Sequence, residues 1–293
     1  MIKHVALLAL FVLNLVVTTG CGRGLSLPSG MVAPRVTSVM AQARFAGKPR
    51  KLGFDLTRAQ VQRRTARPRQ LPPVQGVMPP AVDLRPQCSP VYDQEDLGSC
   101  TAFAVGKGVR EYLQRTRKEP ITELSALYLY YETRKLRNAV PLDSGATITD
   151  AMTAIRKMGI APDAAWPYQV EFFTQPPPEQ AYRAADEWKL TTGLQLVGLE
   201  DVKKALLRRQ PVVFGMRLYN TFQDIGPDGV LPLPQAGDVL VGGHAVTAVG
   251  YDNRRQVLIV RNSFGDAWGD QGYFYMPYAY VTRENVMDIW TAS

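Results

Sequence analysis

Apolar and polar positions fall into three regimes along the 293-residue chain. Val5–Val17 is an apolar run broken only by Asn14, and residues 22–80 carry no sustained period. Beyond residue 81 the pattern first favours helices. The spacing predicts a helix over Cys100–Arg115 with Ser99 as N-cap, and its first turns are apolar on nearly all faces, which places it deep in the fold. Ser125 is positioned to cap a second helix reaching Leu136. Thr147 or Thr149 opens a third that stops at Gly159. Pro176-Pro177-Pro178 starts a short one, and Leu199–Arg209 is amphipathic and ended by Pro211. Alternation then takes over: Val212–Leu218, His244–Gly250, Gln256–Arg261 and Gly272–Met276 read as strands, separated by turns such as Asp228-Gly229 and Asp252-Asn253. A helical half, about 93–198, followed by a strand-rich half, about 199–293, is an α+β arrangement with a cleft where the halves meet.

The N-terminal part changes this picture. Lys3 and His4 followed by thirteen residues of apolar run and the small residues Thr18-Thr19-Gly20 read as an export signal over 1–20. As a helix that run spans only about 20 Å, short of a roughly 30 Å hydrocarbon core. Cys21 resembles the acylated cysteine of a bacterial lipoprotein, although Thr18 stands where such signals usually carry Leu or Val. A lipid anchor on Cys21 and ordinary cleavage with a soluble product both remain open. Either way the chain is expected to be exported: secreted, periplasmic or lipid-anchored. A basic helix is expected over Arg58–Arg67, with Thr57 as cap and Pro68 as stop. The prolines at 72–73 and 79–80 mark a boundary near residue 78.

The formal charge of +8 is unevenly placed: residues 22–80 hold eleven Lys/Arg against Asp55 alone, whereas residues 81–293 hold 22 bases and 25 acids. No basic motif with interleaved aromatics accompanies these charges, so a nucleic-acid partner is not expected.

Histidine is the scarcest resource, with two in the chain; His4 lies in the leader, leaving His244 as the imidazole of the exported product. Gly242-Gly243 before it and the apolar run Ala245–Val249 after it hold the ring in a defined place. Cys100 falls in the first turn of its helix, where orphan N–H groups and the macrodipole favour a thiolate. An inert buried thiol is the competing reading. Cys88 is taken as structural. A Cys88–Cys100 disulfide, which would silence the nucleophile, stays open.

Together these residues resemble the papain family of cysteine peptidases. The match covers Pro80–Arg85, Tyr92–Phe103, Gly242–Gly250 and Arg261–Tyr275 in the family's order. Gln94 stands six residues before Cys100, His244 stands 144 after it, and Asn262 stands 162 after it in a stretch reading Asn262-Ser263-Phe264-Gly265 with Trp268-Gly269. The resemblance implies a papain-like fold of two subdomains, helical on one side and β-barrel-like antiparallel on the other. It implies an endopeptidase working through a thioester, without cofactor or metal. In it Cys100 is the nucleophile, His244 the base, and Asn262 the residue orienting that base. Gln94 and the Cys100 N–H form the oxyanion hole, and Trp268 shields the His–Asn contact. Ser144-Gly145-Ala146, where only Gly145 matches the family's paired glycines, and Gly243 would meet the substrate backbone. Departures are Thr101 for the usual Trp, Phe264 for a common Trp, and Leu97 where a disulfide Cys often lies.

The family is made as zymogens, and residues 22–78 stand where the propeptide should, shorter than usual and with Gly53-Phe54-Asp55 as a fragment of its signature. The chain's own propeptide is therefore an expected inhibitor, its net +10 facing a unit of net −3; a disordered tether is the alternative. Protein or peptide substrates are expected, of a monomer whose one route to a membrane would be a lipid on Cys21 if that cysteine is acylated. A catalytically silent peptide-binding module is the competing function.

Overall fold

The computed structural model describes residues 42–45 and 48–293, with side chains from Arg50 onward. The leader expected over 1–20 and Cys21 lie outside the described residues. The chain runs β1 (Gln42–Phe45), β2 (Lys48–Lys51), α1 (Leu56–Thr65), β3 (Ala81–Asp83), α2 (Cys100–Ala102), α3 (Glu111–Arg117), α4 (Ala126–Lys135), α5 (Ile148–Met158), α6 (Glu179–Ala185), β4 (Leu194–Gln195), α7 (Gly198–Leu207), β5 (Val212–Tyr219), β6 (Leu240–Asp252), β7 (Val257–Arg261), β8 (Tyr273–Pro277) and β9 (Val286–Thr291). β1 and β2 pair as a hairpin. The remaining strands form an antiparallel sheet in the order β4-β9-β5-β6-β7-β8, with β3 added along β6.

Capping chemistry sets the helix starts. Ser125 and Thr147 accept from the N–H groups of Tyr128 and Asp150, opening α4 and α5. α1 begins earlier than expected. Asp55, not Thr57, is its N-cap, because its Oδ1 accepts from Arg58 N at 2.9 Å. Ser99 makes no such cap bond; its hydroxyl pairs instead with Tyr168 Oη at 2.7 Å.

The helix expected over Cys100–Arg115 is continuous in space but changes winding. After α2 it widens into a π-helical stretch, Phe103–Arg110, in which Glu111 N–H reaches back to Gly106 O, and then tightens into α3. The reason lies across the helix. A Cβ on Gly108 would overlap Thr247 Oγ1 of β6, and that hydroxyl donates to Ala104 O at 3.0 Å. β6 therefore presses directly on the helix and takes up one of its carbonyls. β6 runs longer than His244–Gly250; β3 and β4 are too short to stand out in the sequence, and β9 is interrupted by Asp288, whose φ of 53° breaks the extended backbone. One hydrophobic core joins the two halves, from Val105 and Val109 through Leu127 and Ile155 to Val213, Val246 and Phe274.

Candidate active site

Three distant stretches converge where the central helix meets β6. Cys100 opens α2 and His244 lies on β6, opposite Met216 of β5. Asn262 follows β7, fixed by its N–H to Gly272 O at 3.0 Å. His244 Nε2 lies 2.8 Å from Asn262 Oδ1. A carbonyl oxygen only accepts, so Nε2 carries the proton and Nδ1 presents its lone pair. Cys100 and His244 are fully buried.

The ring nearest His244 is Phe264, at 4.9 Å between centroids and tilted by 33°. Phe222 meets the imidazole edge-on at 6.3 Å. Trp268 stands behind both, stacked on Phe222 at 5.3 Å and edge-on to Phe264 at 5.6 Å. Water is thus kept from the His–Asn contact by a layered cluster, with the Trp268 ring backing the two phenylalanines.

Gln94 is stitched to the Asn262 loop. Its N–H bonds Ser263 O at 2.8 Å, and its Oε1 accepts from Ser263 Oγ at 2.6 Å. That contact turns Nε2 toward the cleft, where it donates to Lys51 O at 3.0 Å and Leu97 O at 2.9 Å.

The cleft is filled by the chain's own residues 50–55. Gly53 O accepts from Ala146 N–H at 2.8 Å, Asp55 N–H donates to Ala146 O at 3.0 Å, and Phe54 N–H donates to Gly243 O at 3.1 Å. Phe54 thereby pairs in parallel with Ala146. Gly145 has φ +64, and a Cβ there would overlap Gly53 O. Ser144 stays out of the contact; its Oγ bonds Gly145 O at 3.3 Å. The Phe54 ring lies over Gly215, where a Cβ would collide with it. Leu52 and Phe54 are each 4% exposed.

Opposite charges line the two sides. Arg50 pairs with Asp93 at 2.6 Å, Lys51 with Asp143 at 2.7 Å, and Arg58 with Asp150 at 2.7 Å, while Asp55 accepts from Arg137 at 2.8 Å. The net charges read from the sequence are thus realised as discrete ion pairs.

Burial dominates the electrostatics. Desolvation pushes the Cys100 thiol up to about 11, against the pull of the Ala245, Gly53 and Thr101 N–H groups. Desolvation also drives His244 down to about 4, partly opposed by its bond to Asn262. At neutral pH the covered site holds a thiol and a neutral imidazole rather than an ion pair. Cys88 and Cys100 are both free, which closes the disulfide alternative. Burial raises the Cys88 thiol as well, consistent with a structural role.

The family model described as "Papain family cysteine protease" matches residues 78–289. The chain belongs to the papain family of cysteine peptidases. It is 36% identical over 219 residues to an uncharacterized peptidase C1-like protein of Acanthamoeba polyphaga mimivirus, covering 70% of each chain. It spans 62% of the length of two further curated relatives, a cysteine proteinase of Entamoeba histolytica and a cysteine protease of Blomia tropicalis. Among solved structures it resembles xylellain, a cysteine protease from Xylella fastidiosa, with a TM-score of 0.74 and 32% identity over 83% of this chain and 95% of that one. The ragweed pollen cysteine protease Amb a 11 in its proform shares the fold at TM-score 0.64 and 22% identity, covering 82% of this chain and 76% of that one.

Several residues of this papain-family cleft escaped the sequence reading. Gly215 carried a signal, since a lone glycine inside an apolar strand marks a close approach. Asp143 carried none. It accepts from Gly98 N–H at 3.1 Å and from the Tyr130 hydroxyl, holding the loop before Cys100 where Leu97 replaces a common disulfide cysteine.

Proposed function

We propose that the protein is an exported cysteine endopeptidase made as a zymogen, with residues 22–78 as its inhibitory segment. The observation that carries this reading is the occupied cleft: Gly53 lies against Cys100 and the Lys51 carbonyl rests on Gln94 Nε2. With the segment displaced, His244 Nδ1 takes the Cys100 proton and the thiolate attacks a substrate carbonyl. The oxyanion sits between the Cys100 N–H and Gln94 Nε2. His244 then protonates the leaving amine, and water hydrolyses the thioester. Asn262 keeps Nε2 protonated and the ring aimed throughout. Protein or peptide substrates align along Ala146 and Gly243, the positions that now bond Phe54 and its neighbours.

Labelling with an epoxide thiol reagent and mapping the adduct by mass tests this. The full chain should react slowly. The Phe54→Asp chain, in which a charge enters an apolar pocket, should react at Cys100 and cleave peptides. Loss of labelling on His244→Ala is expected; modification at Cys88 alone would sink the assignment. Export through residues 1–20 is part of the same proposal, and the mass of the mature N-terminus decides whether Cys21 is acylated.

A further inference from the structure

Lys51 occupies an informative place. Its carbonyl accepts from Gln94 Nε2 at 3.0 Å, where a carbonyl under attack would sit. Its ammonium reaches Asp143 at 2.7 Å. The Asp143 side chain is 7% exposed and its orientation is set independently of Lys51. Gly98 N–H donates to both carboxylate oxygens, at 3.1 and 3.2 Å, and the Tyr130 hydroxyl, itself accepting from Gly145 N–H at 3.0 Å, donates to Oδ1. These partners belong to the catalytic unit and remain when the segment leaves; the cation departs with it. The carboxylate also borders the groove. A Cβ on Gly98 would lie 2.9 Å from Asp143 Oδ1 and 3.3 Å from Gly53 Cα.

We propose that Asp143 is a specificity-determining residue that selects lysine or arginine as the residue contributing the scissile carbonyl. The inference rests on the peptidase reading above and deepens it. In the segment, the residue whose carbonyl rests on Gln94 Nε2 also reaches Asp143 with its ammonium, so the carboxylate lies within a lysine's length of the oxyanion donor. A fixed, nearly buried carboxylate that loses its cation favours a replacement cation and rejects neutral or acidic side chains. The segment uses the same recognition, so Lys51 covers the carboxylate while the enzyme is latched.

The test uses the full chain carrying Phe54→Asp and otherwise identical fluorogenic peptides with Lys, Arg, norleucine or Glu at the acyl position. Norleucine keeps the lysine stem without its charge. Lys and Arg peptides should exceed the norleucine peptide in kcat/KM by about ten-fold to a hundred-fold, the range for a charge-assisted hydrogen bond. Asp143→Asn should erase that ratio, whereas a loss of loop support alone would slow the four peptides alike and leave the ratio intact, and Asp143→Glu should restore it. If Asp143→Asn fails to fold, the salt dependence of the unsubstituted site serves: salt should lower the Lys-to-norleucine ratio by slowing the Lys peptide alone. Uniform cleavage of all four peptides, with Cys100 labelled, overturns the Asp143 assignment and leaves the peptidase reading standing. An unlabelled Cys100 with no peptide cleaved overturns both.

Discussion

At the residue scale, the site works by stacking constraints on a few polar atoms. Gln94 has a single amide, and Ser263 holds its oxygen so that its nitrogen must face the cleft. Gln94→Ala should therefore lower kcat in the Phe54→Asp chain by about a hundred-fold to a thousand-fold, the usual loss for one oxyanion donor. Ser263→Ala leaves that donor present but free to turn, so its loss should be smaller and mostly in kcat. Peptide kinetics on the two variants measures the difference, and equal losses would contradict the orienting role. Asn262→Ala should be severe for a different reason. It strips the buried Nε2–H of its acceptor at 2.8 Å and lets the imidazole adopt the unproductive tautomer. Gln94, Cys100, His244 and Asn262 were legible because each sits in a short stretch whose spacing is itself distinctive. Lys51 and Asp143 were not, since their importance comes from contacts with residues far away in sequence.

At the scale of elements, the helix that opens at Cys100 departs from its sequence expectation. Periodicity favoured one regular α-helix, and most of its length is apolar enough to support that. Pressure from β6 imposes a wider winding over Phe103–Arg110, with glycine at 106 and 108 and Thr247 bonded to Ala104 O. Gly108→Ala puts a methyl group into Thr247 and should cost about 1–3 kcal/mol as overpacking. Thr247→Val removes the hydroxyl and leaves a buried carbonyl less satisfied, for about 1–3 kcal/mol. Urea midpoints read both. Because the two residues touch, the double variant should be non-additive, whereas additive costs would show that the helix and β6 are not coupled there. α1 illustrates a smaller discrepancy of the same kind. Thr57 and Asp55 are both competent caps, and Asp55 is selected because the segment entering the helix is already held by Ala146.

At the scale of the whole molecule, residues 50–58 meet the rest of the fold through matched charges and apolar anchors, the contacts on which the proposed latch rests. Its pH response follows from His244. Burial lowers this histidine from 6.5 to about 4 in the covered state, so the covered state binds a proton less readily than an opened, solvated one. The contribution to latching is fully present above about pH 6.5 and falls as pH drops toward 4, by at most on the order of 3 kcal/mol. Amide exchange at Gly53, Phe54 and Asp55 should quicken over that window, and a flat profile would remove His244 as a contributor. Phe54→Asp should open the latch at neutral pH, seen as faster Cys100 labelling without loss of the folded core.

The α+β order, the capped helices α4 and α5, the four polar residues of the site and the charge asymmetry could all be read from the chain, because each depends on local spacing or on simple counts. What fills the cleft could not. Gly53 against Cys100, Phe54 over Gly215 and Lys51 on Asp143 join residues separated by about fifty to more than one hundred and fifty positions, and no local pattern encodes such distances. Cys100 itself shows the division. Its place at a helix start, legible in sequence, favours a thiolate. Burial beneath the segment, which only the tertiary structure supplies, reverses that preference and leaves it a thiol.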